Sequence, residues 1–289
     1  MSGPTHSPPL VRAVLIGVTG RMGQALLRAA PGFSQLLITG AIASPASLAL
    51  GRDTGEIAGL AATNLPVSCD LPRALEQADV ALDFSSAAAT AENLRACHSA
   101  RKALLIGTTG FGAELAAPLV AAARDIPLLI AANTSIGVGL LAELVRAAAR
   151  ALPASFDIDV LELHHRLKPD APSGTALALG RAAAEARGLS LPTAASVRSA
   201  AGGGVLPGPA TCAGARPEGD IGFASVRAGD IVGEHTVLFS GAGEQLSLSH
   251  RSLDRAVFAR GALSVALWLA SRPPGRYAMS DFLGFKTST

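Results

Sequence analysis

Short apolar runs alternate with longer helical patterns in the first half of the chain. Each run ends at glycine, serine, threonine or aspartate, and none alternates apolar with polar positions. Continuous runs of Val, Ile and Leu are typical of parallel strands covered on both faces, and strands that alternate with helices predict βαβ units. We therefore predict an α/β domain with a doubly wound parallel sheet. Its strands are predicted at RAVLIGV, QLLITGAIA, ADVALDF, KALLIGT and IPLLIAA.

The pattern changes in the second half of the chain. The segments FDIDVLELHH, IGFASVR, GEHTVLFSG and EQLSLSH alternate polar with apolar positions. Such alternation is typical of an open sheet with one packed face and one available face. We therefore predict a second, α+β domain with an open mixed sheet. Apolar residues recur at helical spacing at 135–152 and again at 254–271, which predicts one helix before this sheet and one after it.

These patterns predict three segments. Residues 1–135 form the first domain, 136–245 form the second domain, and 246–289 return to the first domain. Residues 193–219 are rich in Gly, Pro, Ala and Ser, which predicts a long mobile loop.

Composition and charge exclude several classes of protein. Lys and Arg number 24 against 22 acids, a balance of +2 that is too small for a nucleic-acid footprint, and aromatic residues make up only 4%. Glycine and proline interrupt the longest uncharged stretch, 29–51, so we predict no membrane span and no membrane partner. The N-terminus lacks a leader pattern, and three widely spaced cysteines are typical of reduced thiols, so we expect a cytoplasmic protein.

A glycine-rich loop follows the first strand. The sequence GVTGRMG at 17–23 precedes a helix predicted at 24–30, and strand, glycine turn and helix are the context of a dinucleotide site. Glycine permits close approach to a pyrophosphate, and free amides at a helix start stabilise its charge. The spacing is GxxGxxG, so a glycine-rich turn of any α/β protein remains the alternative.

The end of the second predicted strand bears on the choice of cofactor. An acid about 20 residues after the glycines normally binds the ribose hydroxyl of NAD. No acid occurs between Gly23 and Asp53, and the strand ends at Ser44 and Pro45. Arg21 lies on the glycine loop, within reach of a 2′-phosphate. NADPH or NADH is expected, and these features favour NADPH.

The densest polar cluster is ELHHRLKPDAPSGT at 162–175. It lies between a strand end and a helix start, where Ser173 is a predicted N-cap, so side-chain cations and the amides of Gly174 and Thr175 occur together. Such a site suits a substrate with carboxylates. Histidine titrates near neutral pH, so His164 is a candidate acid/base group, and Lys168 is a candidate proton donor.

Other interpretations of this cluster remain open. A strand that runs into solvent can simply end in charged residues. Strict alternation puts His164 on one face and His165 on the other, so the strand must distort for both to line one pocket. A metal site is not predicted, because the adjacent histidines lack an acid or cysteine at ligand spacing and Lys168 would repel a cation.

Glu234 and His235 are expected on a solvated face or an oligomer contact. Asp83 and Ser85 either line a cofactor cleft or cap the next helix.

Taken together, these segments resemble the 4-hydroxy-tetrahydrodipicolinate reductase family over nearly the whole chain. The resemblance implies a Rossmann-like domain, a mixed sheet that binds substrate and assembles a homotetramer, and a place in diaminopimelate and lysine biosynthesis. The implied reaction is NAD(P)H-dependent reduction of 4-hydroxy-tetrahydrodipicolinate, a dicarboxylate, to tetrahydrodipicolinate with loss of water. The segments that carry it are GVTGRMG (17–23), DFSS (83–86), IGTTGF (106–111), AANTSIG (131–137), ELHHRLKPDAPSGTAL (162–177) and IGFASVRAGDIVGEHTVLF (221–239).

The resemblance also assigns site residues. It makes His164 the acid/base group and Lys168 the proton donor. It places the substrate carboxylates on His165, Ser173, Gly174 and Thr175. It places the cofactor on Gly17, Val18, Thr19, Gly20, Arg21, Met22, Gly107, Thr108, Thr109, Ala131, Ala132, Asn133 and Thr134. The chain departs from the family pattern at Ser44, Thr134 and Leu167, where the family has an acid, an aromatic residue and a histidine.

Two other functions are alternatives to the reductase, and each makes different demands on the residues. A semialdehyde dehydrogenase shares the cofactor domain but needs an activated thiolate, and Cys97 in a predicted helix and Cys212 in a predicted loop have no evident base. A sensor that binds nicotinamide without turnover would not need the 162–175 cluster.

Overall fold

The computed structural model describes residues 10–189 and 219–285 and divides the chain into two compact units. The first unit is drawn from Met1–Ile136 and Ala256–Thr289, and the second is Gly137–Arg255. The second boundary lies beyond the predicted 245/246, because the last strand of the second sheet remains hydrogen-bonded to its neighbour as far as Ser252. Apart from Gly219, the loop predicted at 193–219 lies outside the described residues.

A six-stranded parallel sheet forms the centre of the first unit. Its order is β10-β5-β4-β3-β1-β2, so the chain runs outward from β1 to β2 and then returns to place β3 on the other side of β1. Such a reversal is the point where α/β sheets bind ligands, beyond the carboxyl ends of the strands. The strands are β1 (Val11–Ile16), β2 (Leu36–Ile42), β3 (Val80–Asp83), β4 (Ala103–Ile106), β5 (Pro127–Ile130) and β10 (Gly275–Tyr277).

Both faces of this sheet are covered. Val14 and Leu15 of β1 point to opposite faces and belong to two separate apolar clusters, which explains the predicted runs without alternation. On one face, the helix near the C-terminus contributes Leu263 and Val265 to the same cluster as β1 and β3. The helices of the unit are α1 (Arg21–Ala29), α2 (Thr54–Ala58), α3 (Leu71–Leu75), α4 (Ala87–Ser99), α5 (Ala116–Ala123), α8 (Ala256–Leu269) and α9 (Met279–Phe282).

The second unit contains a four-stranded mixed sheet of order β7-β6-β8-β9. Phe223 and Phe239 pack its inner face against two helices. Gly180 of α7 has no side chain because a Cβ there would overlap the Phe223 ring. The elements are α6 (Ile136–Ala151), β6 (Asp157–His164), α7 (Gly174–Ala186), β7 (Ile221–Arg227), β8 (Gly233–Gly241) and β9 (Glu244–Ser252).

Several predicted boundaries shift by a few residues. Helix α1 begins at Arg21, inside the glycine loop, whereas the pattern predicted Gln24. Strand β10 is only three residues long and carries no apolar run, so the sequence did not predict it. Among the described residues, no helix combines the length and the apolar character needed to cross a bilayer.

Candidate active site

A cavity of about 430 Å³ lies beyond the carboxyl ends of β1, β2 and β3. Its wall includes Gly17, Thr19 and Gly20 of the glycine loop, Ser44 after β2, and Ser85 after β3. The three strand ends are held together by backbone hydrogen bonds, among them Gly17 N to Ile42 O at 2.8 Å. The cavity therefore lies at the chain reversal predicted to bind a ligand.

The glycine loop fits a pyrophosphate. Gly17 has φ +84°, and a Cβ there would lie 2.5 Å from the Phe84 carbonyl oxygen. A Cβ on Gly23 would overlap the Gly17 carbonyl oxygen. Gly20 is the N-cap of α1 without a side-chain hydrogen bond, and the first turn carries no acid, so its amides are available to an anion.

Asp83 is fully buried and organises the neighbouring strand ends. Its carboxylate accepts hydrogen bonds from Ser85 Oγ at 2.6 Å, Asn93 Nδ2 at 3.1 Å and Thr108 Oγ1 at 3.2 Å. The N-cap of α4 is Ser86, so neither Asp83 nor Ser85 is the helix cap considered from sequence. Ser85 lines the cavity, and Asp83 supports its wall.

The other predicted cofactor residues have varied surroundings. Val18 is fully buried and Met22 packs on the same core, so their side chains turn inward. Thr134 donates its hydroxyl to the carbonyl of Phe258 at 2.6 Å. Asn133 Oδ1 accepts from the Ser135 amide at 2.9 Å. Arg21, Thr109 and Ala132 are exposed, and Ala131 is buried. Gly107 lies against the Phe84 ring, which a Cβ would overlap.

In the second unit, His164 is the last residue of β6 and is buried. Its Nδ1 is hydrogen-bonded to Oε2 of Glu162, two residues earlier on the same face of the strand. Arg227, at the end of β7, donates Nη2 to Glu162 Oε1 at 2.7 Å and Nη1 to Oε2 at 3.0 Å. Burial by itself raises the pKa of Glu162, but the hydrogen bonds from His164 and Arg227 outweigh it and hold that pKa at about 2.

His235 of β8 lies beside His164, with ring centroids 5.1 Å apart in an edge-on arrangement. Its Nε2 is 3.1 Å from the hydroxyl oxygen of Ser173. Burial, followed by the charge of His164, lowers the pKa of His235 to about 4. The expectation of a solvated face or an oligomer contact for His235 is wrong, because β8 turns this residue toward the packed face of the sheet.

After His164 the strand stops and the chain turns. Lys168 N donates to His165 O at 3.1 Å, so His165 belongs to a turn and not to a strand face. Strict alternation along a strand therefore does not apply to His165, and the strand does not need to distort as the sequence suggested. Lys168 Nζ lies 2.7 Å from Asp170 Oδ1, with the lysine side chain 22% exposed.

The start of α7 completes this cluster. Ser173 is the N-cap, as predicted, and its hydroxyl accepts from the Ala176 amide at 3.1 Å. Gly174 is exposed and Thr175 half-buried, and the first turn of the helix carries no acid. Partial burial, then the charge of Arg255, lowers the pKa of His165, which favours the neutral ring.

Sequence reasoning assigned no role to Glu162, Arg227 or His235. Glu162 carried a visible signal, since it lies two positions before His164 on a strand and must share its face. Arg227 and His235 could not be placed, because they join the cluster only through the pairing of β6 with β7 and β8.

Glu162, His164 and His235 also bring potential metal ligands within 4.8 Å of one another. Both Glu162 oxygens are already hydrogen-bonded to Arg227, and a guanidinium opposes a second cation at the same carboxylate. The donor set therefore suits a hydrogen-bond network better than a metal.

Comparison with known proteins settles the family. The family model for the N-terminus of dihydrodipicolinate reductase matches residues 11–134, and that for the C-terminus matches 137–283. The 4-hydroxy-tetrahydrodipicolinate reductase of Rhizobium rhizogenes is 45% identical over 282 residues, which are 97% of this chain and 99% of the relative. That of Alkalilimnicola ehrlichii is 46% identical over 273 residues, 94% and 98%.

The chain belongs to the dihydrodipicolinate reductase family.

A dipicolinate-bound dihydrodipicolinate reductase from Paenisporosarcina sp. TG-14 has the same fold, with a TM-score of 0.74 at 24% identity over 95% of this chain and 99% of that one. The resemblance inferred from sequence is confirmed. So is the predicted architecture of a Rossmann-like sheet with a second, mixed-sheet domain, as expected for the dihydrodipicolinate reductase family.

Proposed function

We propose that this chain reduces 4-hydroxy-tetrahydrodipicolinate to tetrahydrodipicolinate with loss of water, a step of diaminopimelate and lysine biosynthesis. NAD(P)H supplies the hydride when bound, and one proton is consumed for each water released. The observation that carries the proposal is the cluster of His164, Lys168 and the α7 N-terminus, in a chain that matches both halves of the reductase family.

The α7 N-terminus and its neighbours hold the substrate carboxylates. Ser173, Gly174 and Thr175 begin a helix with no acid in its first turn, so the helix end favours a negative group. His165 contributes a hydrogen bond, since its lowered pKa favours the neutral ring. Two carboxylates held in this way fix the orientation of the ring between them.

Lys168 and His164 handle protons. Hydride addition to the conjugated substrate leaves negative charge toward its ring nitrogen, and Lys168 protonates that side. Asp170 engages one of the three ammonium hydrogens of Lys168, which leaves two for the substrate. His164 exchanges its proton at Nε2, since Nδ1 is engaged with Glu162.

The glycine loop and the strand ends of the first unit hold the dinucleotide, with NADPH preferred over NADH. Ser44 stands at the ribose position without a carboxylate, which supports binding of a 2′-phosphate. The one acid on the cavity wall among the described residues is Glu92, which comes from α4 and not from the end of β2. We also propose that the protein is cytoplasmic and forms a homotetramer.

A coupled assay tests this function. The protein is mixed with the upstream synthase, so that substrate forms in place, and oxidation of NADPH and NADH is followed separately. Turnover with NADPH is expected to exceed turnover with NADH. Lys168→Ala is expected to lower kcat by about 10²- to 10⁴-fold, with NADPH binding retained.

Lys102→Ala is the matched control, since it removes a lysine from the first unit, and its kcat is expected to stay within about twofold of the unmodified protein's. No oxidation of either nucleotide would contradict the proposed function. Full activity of Lys168→Ala would remove the proton-donor role alone.

A further inference from the structure

Glu162 is a buried carboxylate that the proposed function leaves without a role. Its side chain is 1% exposed, and removing an ionised carboxylate from water costs several kcal/mol unless it is paired and hydrogen-bonded. A hydrophobic residue at this inward position of β6 would avoid that cost. The retained charge therefore needs an explanation in its contacts.

Every contact of Glu162 fixes its orientation. Arg227 forms the two parallel hydrogen bonds of a bidentate pair, and the amide of Ser173 donates to Oε1 at 3.3 Å. Arg227 is itself held, through Nη2 to the carbonyl of Asp170 at 2.5 Å and through Nε to the carbonyl of Lys168 at 3.3 Å. Glu162 is thus a fixed, ionised acceptor.

The contact with His164 sets the histidine tautomer. An ionised carboxylate can only accept, so His164 must donate from Nδ1, and in the neutral ring Nε2 then carries the lone pair. Nε2 lies on the side of the ring that faces Gly233, where an added Cβ would be 3.0 Å away. Glycine at 233 keeps this edge clear.

We propose that Glu162, oriented by Arg227, is the positioning residue for His164. It holds the neutral ring in the Nδ1–H tautomer, presents Nε2 for proton exchange, and stabilises the imidazolium that forms when Nε2 gains a proton. The inference rests on the proposed function, which places proton exchange at His164.

Other charged and titratable groups surround His164 without reaching Nδ1. His235 faces the ring from β8, with His250 of β9 behind it, and His165 and Lys168 follow in the turn. All of these are neutral or cationic at pH 7. Glu162 is therefore the one anionic neighbour that the described part of the chain places on the His164 ring.

A purely structural role for Glu162 makes different predictions. If the carboxylate only ties β6 to β7 through Arg227, its removal lowers stability but leaves the kcat of the folded protein and its pH profile unchanged. If it positions His164, then kcat falls more than KM rises, and the pH dependence changes.

The experiment compares Glu162→Gln and Glu162→Asp with Glu143→Gln. The control removes a carboxylate that also pairs with an arginine, Arg146 at 2.6 Å, but lies on α6 and not on the strand of His164. For Glu162→Gln we expect kcat to fall about 10²-fold or more, with KM within about threefold. The pH profile of kcat/KM is expected to change, because the amide no longer stabilises the imidazolium. Glu162→Asp is expected to recover part of kcat, and Glu143→Gln to match the unmodified protein.

A measurement on the unmodified protein keeps the inference testable if Glu162→Gln does not fold. Nitrogen-15 NMR of the imidazole rings, assigned with His164→Ala, is expected to show the His164 proton on Nδ1. A proton on Nε2, or unchanged kcat and pH profile in Glu162→Gln, would overturn the inference. Undiminished turnover of His164→Ala would instead contradict the acid/base role itself. Loss of turnover in His164→Ala together with normal turnover in Glu162→Gln would contradict the positioning role alone.

Discussion

His164 and His235 are neighbouring histidines whose hydrogen-bond partners differ in charge. His164 shares a hydrogen bond with an ionised carboxylate. His235 meets the hydroxyl of Ser173, and its Nδ1 has no hydrogen-bond partner among the described residues. A protonated His235 would therefore be a buried cation with no anion in direct contact, so this ring stays neutral and serves as a packing partner for His164.

Acidification should therefore destabilise the protein through His235. Its pKa is about 4 when folded against 6.5 for the unfolded chain, so the unfolded chain binds more protons between these values and the free energy of unfolding falls as the pH drops. The loss from this residue between pH 7.5 and 5 is expected to be roughly 2 kcal/mol. Urea denaturation of the unmodified protein and of His235→Gln at both pH values measures it, and the variant should lose less stability.

His98→Gln provides the comparison for this experiment, because His98 lies on the surface beside Asp125 and its replacement leaves His235 in place. It should keep the acid-induced loss that His235→Gln reduces. An equal loss of stability in the unmodified protein and in His235→Gln would show that His235 is not buried as a neutral ring.

Elements were predictable where one local pattern decides them, and not where two distant segments must meet. The apolar runs predicted β1, β3 and β4, because a strand that is covered on both faces is apolar along its length and can be recognised from its own sequence. The site was only partly predictable, since the Glu162–Arg227 pair spans 65 positions and depends on which strand lies beside β6. Strand β10 forms because β5 offers it an edge, and its three residues carry no signal of their own.

The turn from β1 into α1 offers a test at the scale of an element. Gly17→Ala places a methyl group against the Phe84 carbonyl at positive φ, whereas Gly59→Ala, at φ +72° after α2, meets nothing within 4 Å. Both variants carry the cost of left-handed backbone, about 1 kcal/mol or more. Only Gly17→Ala adds overlap, so it should lose roughly 2 kcal/mol more stability.

Gly17→Ala should also bind NADPH at least about tenfold more weakly, because the backbone that approaches the pyrophosphate has to move. Gly59→Ala should bind it normally. Denaturation and fluorescence titration with NADPH measure the two effects, and equal behaviour of the two variants would contradict the role of the glycine loop.

At the scale of the whole molecule, the outer face of the second sheet exposes apolar side chains. Leu161 and Val226 are 36% and 46% exposed, and Leu163 and Leu238 share this face, because partners across the strand pairs point the same way. Around them lie the Thr236–Ser249 hydrogen bond and the Glu234–Arg251 ion pair. An apolar patch with a polar rim is typical of a protein interface.

We propose that the homotetramer assembles through this face. Light scattering after gel filtration should give four times the 29.0 kDa of one chain, and Val226→Lys should give smaller species with native circular dichroism, because an unpaired ammonium would be buried at the interface. Leu37→Lys, at a 47% exposed position on β2 of the first unit, should leave the mass unchanged. A monomeric unmodified protein at micromolar concentration would exclude the assembly. Smaller species from Leu37→Lys with intact tetramers of Val226→Lys would assign the interface to the first unit instead.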